Sequence, residues 1–348
     1  MPRKKNGATA ASQSDKPSAE VQPTTPPQVR ASRLARIPSF VRYLLVVFIS
    51  LTLSSTLFSL TSGITLGELG GVSKHLDAWW EVGGLIGWKA IEIGLAWTLG
   101  FDGRDVFSFL FLTHLPTYSL LSSFYGIRPT TILVAYAITL FSTTAPFVLL
   151  RQPTSVHDLS HAPSGTVSNR SILDDRATTI YTTVAATSIF AVVLYSSYAT
   201  WLPAWLVVHF ENIPDISVAH AGPAGLPVLF LTLLPAGWAA RDYLFVSSTG
   251  AANIPETKPE ESPADRHGEY LACAIYRRTW GSLSRKSRVL LSRTFNLASL
   301  VHLNTIVQVA GTMQGVDFVG ASRLGLMWAA AILITGATFG WIEAVDGV

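Results

Sequence analysis

Lys89 and Glu92 stand three residues apart in a stretch, 82–99, that is otherwise apolar. An ionisable side chain inside a membrane span is costly and is by default a candidate for function. At a spacing of three, the ammonium and carboxylate share one face of a helix and neutralise each other locally. They can line a hydrated cavity, or Glu92 can serve as an acid or base. The plainer roles are an ion pair that fixes helix rotation, or a Lys89 that snorkels to the surface. At roughly 100° per residue, Gly83, Gly87, Ala90 and Gly94 fall on the opposite face. Small residues there let another helix approach closely.

A second polar set, Asn296, His302, Asn304 and Gln308, lies in the apolar stretch 295–314. Asn304 and Gln308 are one turn apart and face together, whereas His302 projects to nearly the other side. Interhelical hydrogen bonding, worth ~0.6 kcal/mol per contact on average, is the ordinary role. A polar pathway shared with the ion pair is the sharper one, so Lys89, Glu92, His302, Asn304 and Gln308 form the candidate intramembrane site. His114 precedes Pro116, whose missing N–H loosens the local helix. It reads as a packing residue able to titrate near neutral pH.

Other constellations lead away from soluble-type catalysis. His157, Asp158 and His161 have the spacing of metal ligands on a helix but sit in a Pro- and Ser-rich segment, and the remaining histidines are scattered singly. No metal or other cofactor is expected. Cys273 is the sole cysteine, which excludes an intrachain disulfide and any multi-cysteine metal site. Phosphate-binding and dinucleotide-binding glycine motifs, HExxH and GxSxG are all missing from the sequence. Arg241 and Asp242 follow Pro235 and Gly237 at the end of an apolar segment and read as an interfacial anchor.

The elements that position these residues must be membrane helices. With 348 residues, 49% hydrophobic and 14% charged, the chain is too apolar for a soluble domain. Eight segments approach the ~20 residues that cross a hydrocarbon core: 43–61, 82–99, 106–125, 130–150, 178–200, 226–240, 295–314 and 324–345. Of 25 Lys and Arg, 24 lie outside them. Alternate gaps hold eight, one, three and nine on one side, against only Lys74, Arg128 and Arg323 on the other. Cytoplasmic loops carry the excess of Lys and Arg. Were 82–99 not to cross, the nine-charge gap would face outward, against that rule. The expected fold is an all-α polytopic bundle of about eight spans with both termini cytosolic.

Residues 1–42 read as a disordered basic cytosolic tail, and 43–348 as a multi-pass domain with cytosolic loops 151–177 and 241–293. Within the second loop, 269–293 is basic and partly amphipathic, suited to the surface of a leaflet containing anionic lipids. Trp79, Trp80, Trp201 and Trp205 suit an outer interfacial belt. Asn169 heads a glycosylation sequon that this topology leaves cytosolic and unmodified. Gly325, Ala329, Gly336 and Gly340 form a small-residue stripe in the last span, and with Gly83, Gly87 and Gly94 they are the expected helix-packing positions. The leading functional expectation is a non-enzymatic scaffold or assembly subunit of an endomembrane complex, in the endoplasmic reticulum or a connected membrane. Its partners would be the bilayer, its anionic lipids and other membrane proteins, with no nucleic acid. A mitochondrial membrane fits less well, because prolines and a lysine cluster spoil an amphipathic presequence. The alternatives are a transporter or lipid-handling protein with a polar cavity, and an intramembrane lipid-modifying enzyme.

Overall fold

Every one of the eight apolar segments is helical in the computed structural model, which describes residues 38–163, 165–220, 222–251 and 270–345. Most of the expected tail (1–37) and part of the 241–293 loop (252–269) lie outside the described residues. The helices run α1 (Ser39–Leu60), α2 (Ser62–Val72), α3 (Trp79–Thr98), α4 (Gly103–Phe124), α5 (Pro129–Leu150), α6 (Arg170–Asp174) and α7 (Arg176–Ala199). They continue with α8 (Leu202–His209), α9 (Gly225–Thr232), α10 (Leu234–Ala240), α11 (Ser247–Thr249), α12 (Leu271–Thr279), α13 (Arg285–Thr305) and α14 (Phe318–Val345). Two π-helical turns, Arg241–Val246 and Ile306–Ala310, prolong α10 and α13. Among the described residues no strand forms beyond three isolated bridges.

Local chemistry sets the helix starts. The Asp102 carboxylate caps α4 by accepting from the Arg104 and Asp105 N–H groups, and Asp175 caps α7 in the same way. Pro129 opens α5, where its fixed φ and missing N–H carry no penalty. Four helices, α1, α5, α7 and α14, are long and apolar enough to cross a membrane. The α9 and α10–α11 pair makes a fifth if its 50° bend belongs to one span. Pro235, in the first turn of α10, sits just after that bend.

The connections gather into two sets about one helix length apart. One set joins Ser73 to Met313, Phe210 to Val316, Glu68 to Arg128 and His209 to Asp317. The other joins Ser39 to Trp97, Asp102 to Thr154, Val167 to Ala251 and Asp105 to Arg293. These are called below the Arg128 end and the Asp102 end. The interior is unusually polar for a helical bundle, with Glu92, Asp105, Asp242 and Asn304 at 1% exposure or less. Large apolar side chains on the outside, such as Phe48, Leu133, Val148 and Leu326, remain exposed. An apolar exterior around an apolar core in which these polar and ionisable groups lie buried is the distribution a lipid solvent allows.

Two expectations need revision. The stretch 241–293 is not one loop, because α10 runs on through the π turn and α11 to Thr249, while α13 already begins at Arg285. The basic surface helix is therefore confined to α12, whose Leu271, Ile275 and Tyr276 are exposed; Arg285 and Arg293 belong to α13.

Candidate functional site

Helices α3, α4 and α13 bring one polar chain together in the middle of the bundle. Lys89 Nζ donates to Glu92 Oε2 at 2.7 Å, and His114 Nε2 lies 2.9 Å from Glu92 Oε1. On the other edge of the imidazole, Asn304 Nδ2 is 3.4 Å from His114 Nδ1 and 3.1 Å from the Thr113 carbonyl oxygen. Trp88 Nε1 donates to Asn304 Oδ1 at 2.9 Å, closing the chain back onto α3. Because an amide NH2 can only donate, this arrangement fits a neutral His114 that accepts at Nδ1 and donates from Nε2 to Glu92. The cluster then balances one ammonium against one carboxylate, with every polar atom named here partnered. A fully connected network of this kind is rigid and costly to break.

Beside it lies a cavity of about 350 Å³, bounded by α1, α2, α4, α5 and the second π turn. Lys89, His114, Thr117, Tyr118, Gln308 and Thr312 give its polar lining, while Leu51, Phe58 and Leu121 give part of its apolar lining. The Lys89 side chain keeps 20% exposure, and that exposure is what makes it a cavity residue.

A second cluster closes the Asp102 end. The Arg104 guanidinium holds Asp242 through Nη2 to Oδ1 at 2.6 Å and Nε to Oδ2 at 2.9 Å. Arg293 holds Asp105 in the same forked way, at 2.6 and 2.9 Å, and stacks over Phe101 and Tyr243 at 4.9 and 4.8 Å from their ring centres. Forked arginine–carboxylate pairs are among the stronger and more directional polar contacts. His157 Nδ1 lies 2.9 Å from Asp102 Oδ2, which also accepts from the Thr154 N–H and hydroxyl. Burial alone would lift the Asp102 carboxyl. The His157 hydrogen bond and charge, with the Asp105 and Thr154 N–H groups, outweigh it and hold Asp102 well below the usual range. For His157, burial favours the neutral ring, yet the Asp102 hydrogen bond and the surrounding Asp105, Asp102 and Asp242 charges raise its pKa.

Ligand atoms of Asp102, Asp105 and His157 lie within 4.8 Å of one another, the spacing of a metal site. The donor set does not suit a cation, because both Asp105 oxygens already face the Arg293 guanidinium. The arrangement is an ionic clasp that fastens α4, the first π turn, α13 and the 154–157 segment together.

The candidate residues thus separate. Lys89, Glu92 and Asn304 share the central chain, and Gln308 joins Lys89 on the cavity wall. His302 does not belong with them: it packs against Gly325 of α14, as its position about 200° round the helix from Asn304 requires. His114 is the member that its own segment did not reveal, since only the meeting of α3 and α4 puts it on Glu92. Among the packing glycines, a Cβ on Gly336 would collide with Thr294, one on Gly325 would lie 3.0 Å from His302, and one on Gly340 would be 3.4 Å from Leu290. A Cβ on Gly94 would lie 3.2 Å from the Tyr43 hydroxyl, whereas one on Gly83 or Gly87 would meet no atom of the described residues within 4 Å. His161 pairs with Asp158 at 2.8 Å in the exposed loop, separate from His157. Arg241 and Asp242 are buried with different partners, Thr179 and Arg104, so they anchor the interior and not an interface.

Comparison with known proteins gives no match among curated proteins and none among solved structures. Residues 175–342, which run from the cap of α7 almost to the end of α14, match the family model described as the Bouquet formation protein 3 C-terminal domain.

Proposed function

We propose that this chain is a non-enzymatic multi-pass membrane protein that acts as a scaffold or assembly subunit of an endomembrane complex. The observation that carries the reading is the open half of the small-residue face on α3. Tyr43 of α1 covers the lower half, with its hydroxyl donating to the Ala90 carbonyl at 3.0 Å. In the upper half, a Cβ on Gly83, Gly84 or Gly87 would meet no atom of the described residues within 4 Å. Gly84 and Gly87 border a groove of about 570 Å³ whose other wall includes Ile306, Ala310 and Gly311. Small residues flanking a groove in the apolar exterior suit close approach of a partner's membrane helix. The matched family's description, which names a formation process and no reaction, agrees with an assembly role.

The topology that goes with this role has eight crossings and a cytosolic N-terminus. Its support is that eight helical segments, counting α9 to α11 as one and α13 with its π turn as one, each run from one end to the other. The Lys and Arg bias then makes the Asp102 end cytosolic. The compartment in this reading is the endoplasmic reticulum or a connected membrane.

The test is co-purification from native membranes under mild detergent. Gly87→Leu should remove stoichiometric protein partners while leaving the chain's own melting curve in place. A full set of partners on the Gly87→Leu chain would sink the scaffold role.

A further inference from the structure

The cavity beside Lys89 is independent of the α3 groove and has a chemistry of its own. Its polar lining includes the Lys89 ammonium, the Gln308 amide and the Thr117 hydroxyl. Thr117 is 8% exposed, and its buried Oγ1 has no hydrogen-bond partner. A buried hydroxyl without a partner carries a desolvation cost that a ligand can relieve. A neighbouring hydroxyl, that of Thr312, has its proton engaged on the Gln308 carbonyl, so what it offers is lone pairs. Lys89 offers N–H donors, one of them held by Glu92. The polar lining therefore both donates and accepts.

Charge narrows the ligand further. Lys89 is already matched by Glu92, so an added anion would leave one uncompensated negative charge in a poorly solvated interior, and an added cation one positive charge. A neutral hydroxyl satisfies donors and acceptors at no such cost. The apolar lining, with Leu51, Phe58 and Leu121, asks for hydrocarbon. The volume of about 350 Å³ falls at the small end of ligand sites, which span roughly 300–1,000 Å³. That is room for a headgroup and the first part of an apolar body.

We infer that this cavity binds a neutral lipid by an aliphatic hydroxyl, with the alcohol at Lys89, Thr117 and Gln308 and the hydrocarbon toward Phe58 and Leu121. The alcohol can come from a sterol or from a glycerolipid. The full chain in native membranes would be exposed to three photoreactive probes: a sterol, a diacylglycerol and a fatty acid. Crosslinks would be mapped by peptide mass spectrometry. The sterol or the diacylglycerol should label peptides of α1, α4 or α5 that line the cavity, and which of them labels names the source. Thr117→Val, which keeps the shape and deletes the hydroxyl, should cut that labelling at least fivefold. Ser54→Trp, which fills the space, should abolish it, with the gel-filtration profile of each variant checked against wild type. Labelling by the fatty acid at least equal to that by the alcohols, labelling unchanged in Thr117→Val, or no labelling of the cavity peptides would each overturn the inference.

Discussion

Glu92 is held between Lys89 and His114 at 1% exposure, so the cost of losing it differs from the worth of having it. Breaking a buried pair leaves an uncompensated charge and costs roughly 3–5 kcal/mol, while replacing both partners is often close to neutral. Glu92→Gln should therefore destabilise the solubilised protein by an amount in that range, and Lys89→Met added to it should restore most of the loss. Equal losses in the single and double variants, read from denaturant titrations in mixed micelles, would mean that the pair is not coupled. At the Asp102 end the residue-scale consequence is a pH dependence. Folding raises the His157 pKa, so its contribution is complete below the unfolded value near 6.5 and is lost as pH rises through the folded value. Folding lowers the Asp102 pKa, so that contribution is present above 3.8 and lost only as pH falls through its folded value. The 154–157 segment should thus be held most firmly at mildly acid pH and loosen as pH rises through the folded value of His157. Hydrogen exchange of that segment, corrected for its intrinsic pH dependence, should show the step in wild type and lose it in Asp102→Asn.

At the scale of elements, the two glycine stripes have opposite roles. On α14 the stripe is consumed by α13, and Gly336→Leu should drive the side chain into Thr294 and lower yield and thermal stability, costing about 1–3 kcal/mol as overpacking does. The Gly87 position on α3 should take the same substitution with little loss of stability, as judged by fluorescence-detected gel filtration after heating. Equal damage at both positions would mean that the α3 face is covered. These elements were legible in the sequence to different depths. Helix positions followed from apolar length, because a stretch such as 130–150 has few other ways to satisfy its backbone in lipid. The pairing of Lys89 with Glu92 followed from helical spacing alone. What spacing could not give was which helix faces which. Asn304 meets His114 across 190 residues, and Arg104 reaches Asp242 across 138. No local pattern encodes such contacts. The continuation of α10 past Arg241 was hidden for another reason: a charged Arg–Asp step reads as a boundary when its partners, Thr179 and Arg104, lie on other helices.

For the molecule as a whole, sidedness is the property most directly open to test. Cys273 is the only cysteine and is exposed on α12, so a membrane-impermeant maleimide reports one site. In sealed vesicles with the lumen inside, it should react without permeabilisation, and Asn169 should carry no glycan. Protection of Cys273 until detergent is added would invert the topology. The ionic clasp adds an order in time. Asp102 and Asp105 leave the ribosome well before the cation that neutralises Asp105, because Arg293 follows it by 188 residues. Arg104, likewise, waits for Asp242. A nascent chain halted between α7 and α13 would hold Asp105 in α4 without the Arg293 guanidinium that forks onto it. The clasp thus cannot close until the chain has been made past Arg293, in the first half of α13.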